Sequence, residues 1–229
     1  SKLKDIKELE VLRMSKDDIG GIWRTVGGRR IFIKDGQDLA TAMKESGKFS
    51  DKYKKLTDEE INGFQKSSDE CYNKLNSDEK EAMYEYALGG YQDVNDYLNG
   101  KFEGYENTQD MIEKIDSSMN KYNLEENVVT YRGTNGDYYN NYSVGDIIKE
   151  KMYYSTSLSY GIAKTFEDDC SNPIMAEIHV PKGTKSIYIG DNTDYDFEAE
   201  LLLSRNLSYK VIKKDKDNIV LEVLYGKRN

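Results

Sequence analysis

Histidine, cysteine and proline are scarce in this chain of 229 residues, which holds one His, two Cys and two Pro. A Cys/His zinc site cannot be assembled from one His and two cysteines, Cys71 and Cys170, that lie 99 positions apart. Catalysis by histidine would depend on His179, which we interpret as structural because Glu177-Ile-His-Val180 alternates as a strand does. Both cysteines are expected to be free thiols, since no cysteine-dense framework surrounds them. The side chains that remain as candidates for catalysis are carboxylates, hydroxyls and arginines.

Long apolar runs and excess positive charge are also missing. No apolar run approaches the roughly 20 residues that span a bilayer, and the first residues, Ser1-Lys-Leu-Lys-Asp5, do not lead into a signal peptide. The formal net charge of −9 argues against non-specific binding of nucleic acid. We therefore expect neither a membrane nor a nucleic acid as partner. Apolar residues make up only 37 %, but with 19 Tyr the chain can still bury the core of one large domain.

Charge is distributed unevenly along the chain. Residues 1–50 carry a net charge of +3 and residues 51–229 carry −12, which indicates a domain boundary near residues 48–55. We predict an N-terminal extension over residues 1–50 and a main domain over residues 51–229. The predicted elements of the extension are a helix over Leu3–Ile19, a hairpin of Ile22–Val26 and Arg30–Lys34 around Gly27-Gly28, and a short helix over Gln37–Glu45.

The main domain changes from helical to strand patterns along its length. Thr57-Asp-Glu-Glu60 and Asn76-Ser-Asp-Glu79 fit the capping box that begins a helix, and Glu81–Leu98 has helical spacing interrupted by Gly89-Gly90. After Asn127, only Gly161–Asp168 has a helical pattern. The predicted strands are Val128–Tyr131, Met152–Ser155, Ile174–Val180, Ser186–Ile189, Glu198–Leu203, Tyr209–Lys213 and Ile219–Tyr225. Helices followed by strands indicate an α+β fold.

One predicted strand contains two carboxylates. Residues two apart on a strand project from the same face, so Glu198 and Glu200 are predicted to lie side by side while Ala199 and Leu201 face the core. Like charges this close together raise the pKa of one carboxyl. An exposed strand with two solvated glutamates is the alternative.

Two further motifs close predicted strands. The hydroxyls of Tyr154-Ser-Thr-Ser157 can orient a carboxylate or a ribose, or they can cap the helix that begins near Tyr160. In Tyr131-Arg-Gly133, the guanidinium of Arg132 can grip a phosphate while the bare backbone of Gly133 leaves room for a ligand. A surface ion pair is the alternative for Arg132.

The order of these motifs resembles that of a known family. Arg132 is followed by Ser155 about 23 positions later and by Glu198 about 43 positions after that, as in the Arg-Ser-Glu class of mono-ADP-ribosyltransferases, and particularly in the enzymatic components of clostridial binary toxins. The turn Val180-Pro-Lys-Gly183 and a Tyr-X4-Tyr-X3-Asn pattern also resemble this family. The resemblance covers about residues 55–225, and it implies a helical N-terminal part packed on a two-sheet β core.

The resemblance also implies an activity, the transfer of ADP-ribose from NAD to an arginine of a target protein with release of nicotinamide and without a metal. Glu200 would stabilise the oxocarbenium-like ribose and be held by Ser155, and Glu198 would direct the reaction to arginine. Arg132 would grip phosphate and ribose, with the Gly133 backbone facing nicotinamide. The other residues implied are Tyr86, Tyr91, Asn95 and Phe166 for NAD, and Tyr195 for the target protein.

The chain departs from this family in one loop. The family often places an Arg after Ser-Thr-Ser to hold the phosphates, whereas residues 158–172 contain no Arg and Asp169 stands at that position. Lys164 is the candidate substitute, although a point charge binds phosphate less specifically than a bidentate guanidinium.

The extension carries a second, shorter resemblance. Trp23–Gly36 and Met43–Phe49 resemble a segment of prophage minor head proteins, some of which end in an ADP-ribosyltransferase domain. A plain linker with a hairpin fits as well. We expect action in the cytoplasm of a target or host cell, after either toxin secretion or delivery by a phage particle. The alternative functions are an NAD glycohydrolase and a non-catalytic phage-head interaction module. An interaction module would have no need of Arg132, Ser155, Glu198 and Glu200 together.

Overall fold

The computed structural model describes residues 21–26, 29–42, 52–194 and 198–224. Near the start, β1 (Gly21–Val26) and β2 (Arg29–Lys34) pair as an antiparallel hairpin, which confirms the hairpin prediction. Residues 39–42 are helical, within the short helix predicted there. The predicted helix over Leu3–Ile19 and the end of the extension after residue 42 lie outside the described residues.

Among the described residues, four helices lead up to the main sheet. They are α1 (Asp58–Tyr72), α2 (Ser77–Glu85), α3 (Tyr91–Leu98) and α4 (Thr108–Met119). Both predicted capping boxes are present: the side chains of Thr57 and Asn76 each accept a hydrogen bond from the backbone N–H three residues on, and their own backbone N–H groups donate to the glutamate side chain at that position. A π-helical turn, Tyr86–Gly90, joins α2 to α3 at the interruption that the two glycines predict.

The remaining elements build the sheet. They are β3 (Val128–Asn135), β4 (Ile147–Glu150), β5 (Tyr154–Ser157), the short helix α5 (Tyr160–Thr165), β6 (Pro173–Val180), β7 (Ser186–Tyr188), β8 (Glu200–Leu203), β9 (Leu207–Lys214) and β10 (Asn218–Val223). The strand order is β4-β9-β10-β6-β3-β5-β8-β7. The strand predicted over Met152–Ser155 begins two residues later, so that β5 contains all of Ser-Thr-Ser.

The sheet narrows in the middle. Strands β3 and β5 pair only through Tyr131 and Ser157, whereas β3 and β6 pair along their whole length. The predicted two-sheet core is thus a single hydrogen-bonded sheet with a five-stranded and a three-stranded part, and the α+β class is confirmed.

Two apolar clusters hold this arrangement together. One lies on the sheet and includes Leu201 and Leu203, and the other lies between the helices and the three-stranded part and includes Leu202 together with Met83 and Ile115. Strand β8 is therefore buried on both faces, which fixes the strand that begins at Glu200. No helix among the described residues has both the length and the apolar character needed to cross a membrane.

The scarce residues occupy the positions expected of them. Cys71 and Cys170 are both free thiols, as predicted. His179 is buried in β6, where its ring hydrogen-bonds to the Glu177 carboxylate and lies 4.9 Å from the Tyr53 ring. These contacts agree with a structural histidine.

Candidate active site

A cavity of about 570 Å³ opens where β3, β5 and β8 meet the turn between α2 and α3. This volume lies within the usual range for small-molecule sites, roughly 300–1,000 Å³. Apart from Lys164, every described residue predicted for catalysis or NAD binding lines it, namely Tyr86, Tyr91, Asn95, Arg132, Gly133, Ser155, Phe166, Glu198 and Glu200. Tyr195, predicted to recognise the target protein, lies outside the described residues.

Arg132 is positioned by its neighbours on β5. Its Nη1 donates to the Ser155 carbonyl oxygen at 2.9 Å, and its guanidinium carbon lies 4.5 Å from the centre of the Tyr154 ring. Tyr154 is itself fixed, since its hydroxyl pairs with that of Tyr139. These contacts hold the guanidinium at the cavity wall and leave further N–H donors for a ligand, because the group carries five. A surface ion pair, the alternative interpretation, is not what the structure shows.

Gly133 is required by packing as well as by access to the cavity. A Cβ added there would lie 2.1 Å from the Ala163 carbonyl oxygen and 3.0 Å from Glu167 Cγ. The backbone of β3 therefore approaches α5 as closely as it does only because residue 133 has no side chain.

The three hydroxyls of Ser-Thr-Ser all bond towards the segment that carries the carboxylates. Ser155 Oγ donates to Glu200 Oε2 at 2.6 Å, Thr156 Oγ1 to the Leu201 carbonyl at 2.7 Å, and Ser157 Oγ to the Glu198 carbonyl at 2.7 Å. Capping of the next helix falls instead to Ser159, which accepts from the Ile162 N–H. Of the two interpretations of this motif, the orientation of a carboxylate is the one that the contacts support.

The two carboxylates meet in a different way from the predicted one. Strand β8 begins at Glu200, and Ala199 has a left-handed backbone with φ of 47°, so the prediction of a continuous strand from Glu198 is wrong, although Ala199 and Leu201 are both buried in the core as predicted. Glu198 lies in the loop before the strand and reaches the same cavity through this bend. The alternative of an exposed strand with two solvated glutamates also fails, because both side chains are partly buried.

Burial changes the acidity of both carboxyls. It raises the pKa of Glu200 from 4.5 to about 7; the hydrogen bond from Ser155 and the charge of Arg132 oppose this rise, while the charge of Glu198 adds to it. Burial also raises the pKa of Glu198. Near neutral pH, Glu200 can therefore exchange a proton.

The turn between α2 and α3 supplies the aromatic side of the cavity. Gly89 has φ of 130°, a conformation open to glycine, and the resulting π turn shapes the chain between Tyr86 and Tyr91. Asn95 Nδ2 donates to the Tyr86 hydroxyl at 3.0 Å, while Asn95 Oδ1 accepts from the Tyr153 backbone. The Tyr-X4-Tyr-X3-Asn pattern is thus a connected unit that is tied to β5.

The loop that departs from the resemblance contributes a ring but no free cation. Phe166 lies at the cavity and is about half exposed, at 47 %. Lys164, the candidate substitute for the missing Arg, pairs instead with the Glu167 carboxylate at 3.1 Å and does not line the cavity. The expectation for Lys164 is therefore not supported, and Arg132 is the cationic side chain among the described lining residues.

Comparison with known proteins identifies the family. The sequence model of the ADP-ribosyltransferase exoenzyme family matches residues 62–227. The chain belongs to this family. This chain is similar to the NAD(+)--arginine ADP-ribosyltransferase EFV of Enterococcus faecalis, with 30 % identity over 168 residues, which cover 71 % of the chain but 34 % of EFV. The chain thus spans about a third of the length of that relative.

Solved structures agree with this assignment. The C3 exoenzyme of Clostridium limosum superposes with a TM-score of 0.64 at 24 % identity, covering 79 % of this chain and all of that one, a likeness that shows the fold. C3stau2 from S. aureus, solved with NAD, gives a TM-score of 0.61 at 25 % identity, covering 75 % of this chain and 97 % of its own. The resemblance to a prophage head segment stays a prediction.

Several residues of the site escaped sequence reasoning. Tyr154, beneath the Arg132 guanidinium, and Ser157, which holds the Glu198 backbone, were each noticed only as part of a motif. Met152, Tyr153 and Cys170 line the cavity without any prior indication. The position of Tyr154 and Ser157 on strand β5 could have suggested that they contact neighbouring segments of the sheet. Nothing local to Cys170 marks it.

Proposed function

We propose that this enzyme transfers ADP-ribose from NAD to an arginine side chain of a target protein. The observation that carries the proposal is the convergence of Glu198 and Glu200 on one cavity with Arg132, while Ser155 holds the Glu200 carboxylate. An NAD glycohydrolase would need Glu200, but it would have no evident use for Glu198. The name of the relative EFV, an arginine ADP-ribosyltransferase, supports the same acceptor.

Glu200 acts at the ribose. The bond between ribose C1′ and the nicotinamide nitrogen breaks, nicotinamide leaves with the electron pair, and positive charge develops on the ribose. A buried carboxylate beside C1′ stabilises this charge more strongly than water would, because the site is desolvated. Ser155 keeps the carboxylate in one orientation through its hydrogen bond. The ionised form of Glu200 is the active one in this role.

Glu198 acts at the acceptor. An arginine guanidinium is protonated at neutral pH and is a poor nucleophile until a carboxylate orients it and accepts a proton. In the second step a nitrogen of the arginine bonds to C1′, and its proton passes to Glu198. Since Glu198 lies in the loop before β8, it borders the cavity from a different segment than Glu200 does.

Binding of NAD falls to the remaining lining residues. Arg132 grips the phosphates and ribose, and the Gly133 backbone faces nicotinamide. Tyr86, Asn95 and the exposed rings Tyr91 and Phe166 shape the pocket. No group of three or more His, Cys, Asp or Glu side chains in the described part of the chain is arranged to hold a metal, so we assign no metal to the site.

The catalytic unit is proposed to be residues 51–229, preceded by the extension. Support comes from the family match, which begins at residue 62, and from the separate hairpin of β1 and β2. The target protein is proposed to be met in the cytoplasm of a target or host cell, and Tyr195 to contribute to its recognition. Secretion and phage delivery both remain compatible with these features.

Paired substitutions test the proposal. Glu198→Gln is expected to abolish transfer to arginine while leaving part of the nicotinamide release, and Glu200→Gln is expected to remove both. Glu113→Gln, on the exposed side of α4, is the matched control. The measurements are nicotinamide release from NAD and labelling of agmatine. Loss of both activities in Glu198→Gln, or survival of both, would contradict this division of roles.

A further inference from the structure

The loop that connects β7 to β8 carries Glu198 and is unusually long for a hairpin. Its described residues are 189–194 and 198–199, and we call these the acceptor loop. Glu200 is fixed by β8 and by Ser155, whereas Glu198 lies outside the strand beyond the left-handed Ala199. The Ser157 hydroxyl holds the Glu198 backbone by donating to its carbonyl, so the placement of the Glu198 side chain depends on this contact together with what holds the rest of the loop.

Helix α1 holds the first part of the acceptor loop through Gln65. The Gln65 Oε1 accepts from the Asp191 backbone N–H at 2.9 Å, and its Nε2 donates to the Asp191 carboxylate. The same Nε2 also donates to Asp69 Oδ1 at 2.7 Å, which fixes the amide on its own helix. One side chain thus binds both the backbone and the side chain of a loop residue.

A second set of contacts on α1 supports the same stretch. Ser68 is fully buried, and its hydroxyl donates to the Ile189 carbonyl at 2.9 Å. It also accepts from Asn192 Nδ2 at 2.8 Å, and that amide reaches Asp69 at 3.1 Å. The acceptor loop is therefore bound to α1 at Ile189, Asp191 and Asn192.

A side chain at residue 190 would be strained by the left-handed backbone and would displace the Gln65 amide. Gly190 has φ of 56°, and a Cβ built there would lie 2.3 Å from Gln65 Oε1. The backbone conformation at residue 190 and its short distance to Gln65 therefore both favour glycine at this position.

Helix α2 holds the loop farther along. The Tyr84 hydroxyl donates to Asp194 Oδ2 at 2.9 Å, although the ring is 42 % exposed. Tyr84 stands two residues before Tyr86, which lines the NAD cavity. The helix that leads into the NAD-binding turn therefore also holds the loop, four residues before Glu198.

We propose that Gln65 and Tyr84 are positioning residues for the acceptor step, which hold the acceptor loop so that Glu198 meets the incoming arginine. This inference rests on the proposed function. Cleavage of NAD depends on Glu200, which has its own support from β8 and Ser155, and so does not need these contacts. Release of the loop should therefore separate transfer from hydrolysis.

The test compares Gln65→Met and Tyr84→Phe with matched controls on helix α4 and the turn before it, Gln109→Met and Tyr105→Phe. Gln109 is exposed and accepts only from Tyr97, and Tyr105 is 63 % exposed. With agmatine as acceptor, we expect kcat/KM for transfer to fall about tenfold in Gln65→Met and roughly threefold in Tyr84→Phe, because small displacements of a reacting group are costly. Nicotinamide release without an acceptor should stay within about twofold of wild type.

Equal loss of transfer and hydrolysis in a variant that melts like wild type would overturn the inference, and so would unchanged transfer. If Gln65→Met does not fold, Tyr84→Phe decides, since it removes one hydroxyl from an exposed ring. The proposed function fails separately, when the wild-type enzyme hydrolyses NAD but labels no arginine, or does neither.

Discussion

The raised pKa of Glu200 makes the pH dependence of NAD cleavage a sensitive test of the site. Because the ionised carboxylate stabilises the ribose cation, the rate should follow the ionised fraction of Glu200. Its pKa of about 7 gives an ionised fraction near one tenth at about pH 6 and near nine tenths at about pH 8. The kcat/KM for NAD hydrolysis should therefore rise roughly tenfold over this interval, since kcat/KM reports groups of the free enzyme.

Two substitutions should move this midpoint in opposite directions. Ser155→Ala removes the hydrogen bond that lowers the pKa of Glu200. Hydrogen bonds to charged groups contribute about 1.5–3 kcal/mol, which corresponds to a rise of about 1–2 pH units. Glu198→Gln removes a like charge and should lower the midpoint.

The assay is nicotinamide release at low NAD concentration between about pH 5.5 and 9, with Glu113→Gln as control. A wild-type rate that stays flat down to about pH 5.5, as a midpoint near the ordinary value of 4.5 would give, would refute the reasoning about burial. If the midpoint shifted in the same direction in Ser155→Ala and Glu198→Gln, the opposite effects assigned to Ser155 and Glu198 on the pKa of Glu200 would be refuted.

Three further predictions follow from single contacts. Gly133→Ala places a methyl group 2.1 Å from the Ala163 carbonyl oxygen, so we expect a loss of about 2 kcal/mol in denaturant unfolding and a higher KM for NAD. Thr57→Ala removes the cap that bonds to Glu60, and it should lower the free energy of unfolding by about 1 kcal/mol with unchanged NAD hydrolysis. Glu200→Gln should raise Tm at about pH 8 but not at pH 5. The pKa of Glu200 is higher in the folded than in the unfolded protein, so the wild-type protein loses folding free energy, on the order of 3 kcal/mol, as the pH rises through this window. A Tm gain at pH 5 instead would contradict that sign.

Local signals in the sequence predicted the elements of the fold well. The capping boxes at Thr57 and Asn76 and the glycines before Tyr91 act within one or two helical turns, so their effect can be read from neighbouring residues. The single residue pair that joins β3 to β5 is different. It depends on contacts between segments far apart along the chain, which periodicity does not record.

The site was predictable as a set of residues but not as a geometry. Order and spacing brought Arg132, Ser155 and Glu200 together, and the structure places them around one cavity. The left-handed Ala199 was not predictable, because an Ala between two glutamates has a strand pattern and the bend depends on tertiary contacts. The pairing of Lys164 with Glu167, by contrast, joins residues three apart, and this spacing in the sequence could have indicated it.

The central claim is that Glu198 directs ADP-ribose to arginine. The most direct measurement is fragmentation mass spectrometry of proteins that the wild-type enzyme labels with NAD in bacterial and eukaryotic lysates, with Glu198→Gln in parallel. We predict ADP-ribose on arginine side chains and no such label from Glu198→Gln. Label on another type of side chain, or arginine label that persists in Glu198→Gln, would contradict the account.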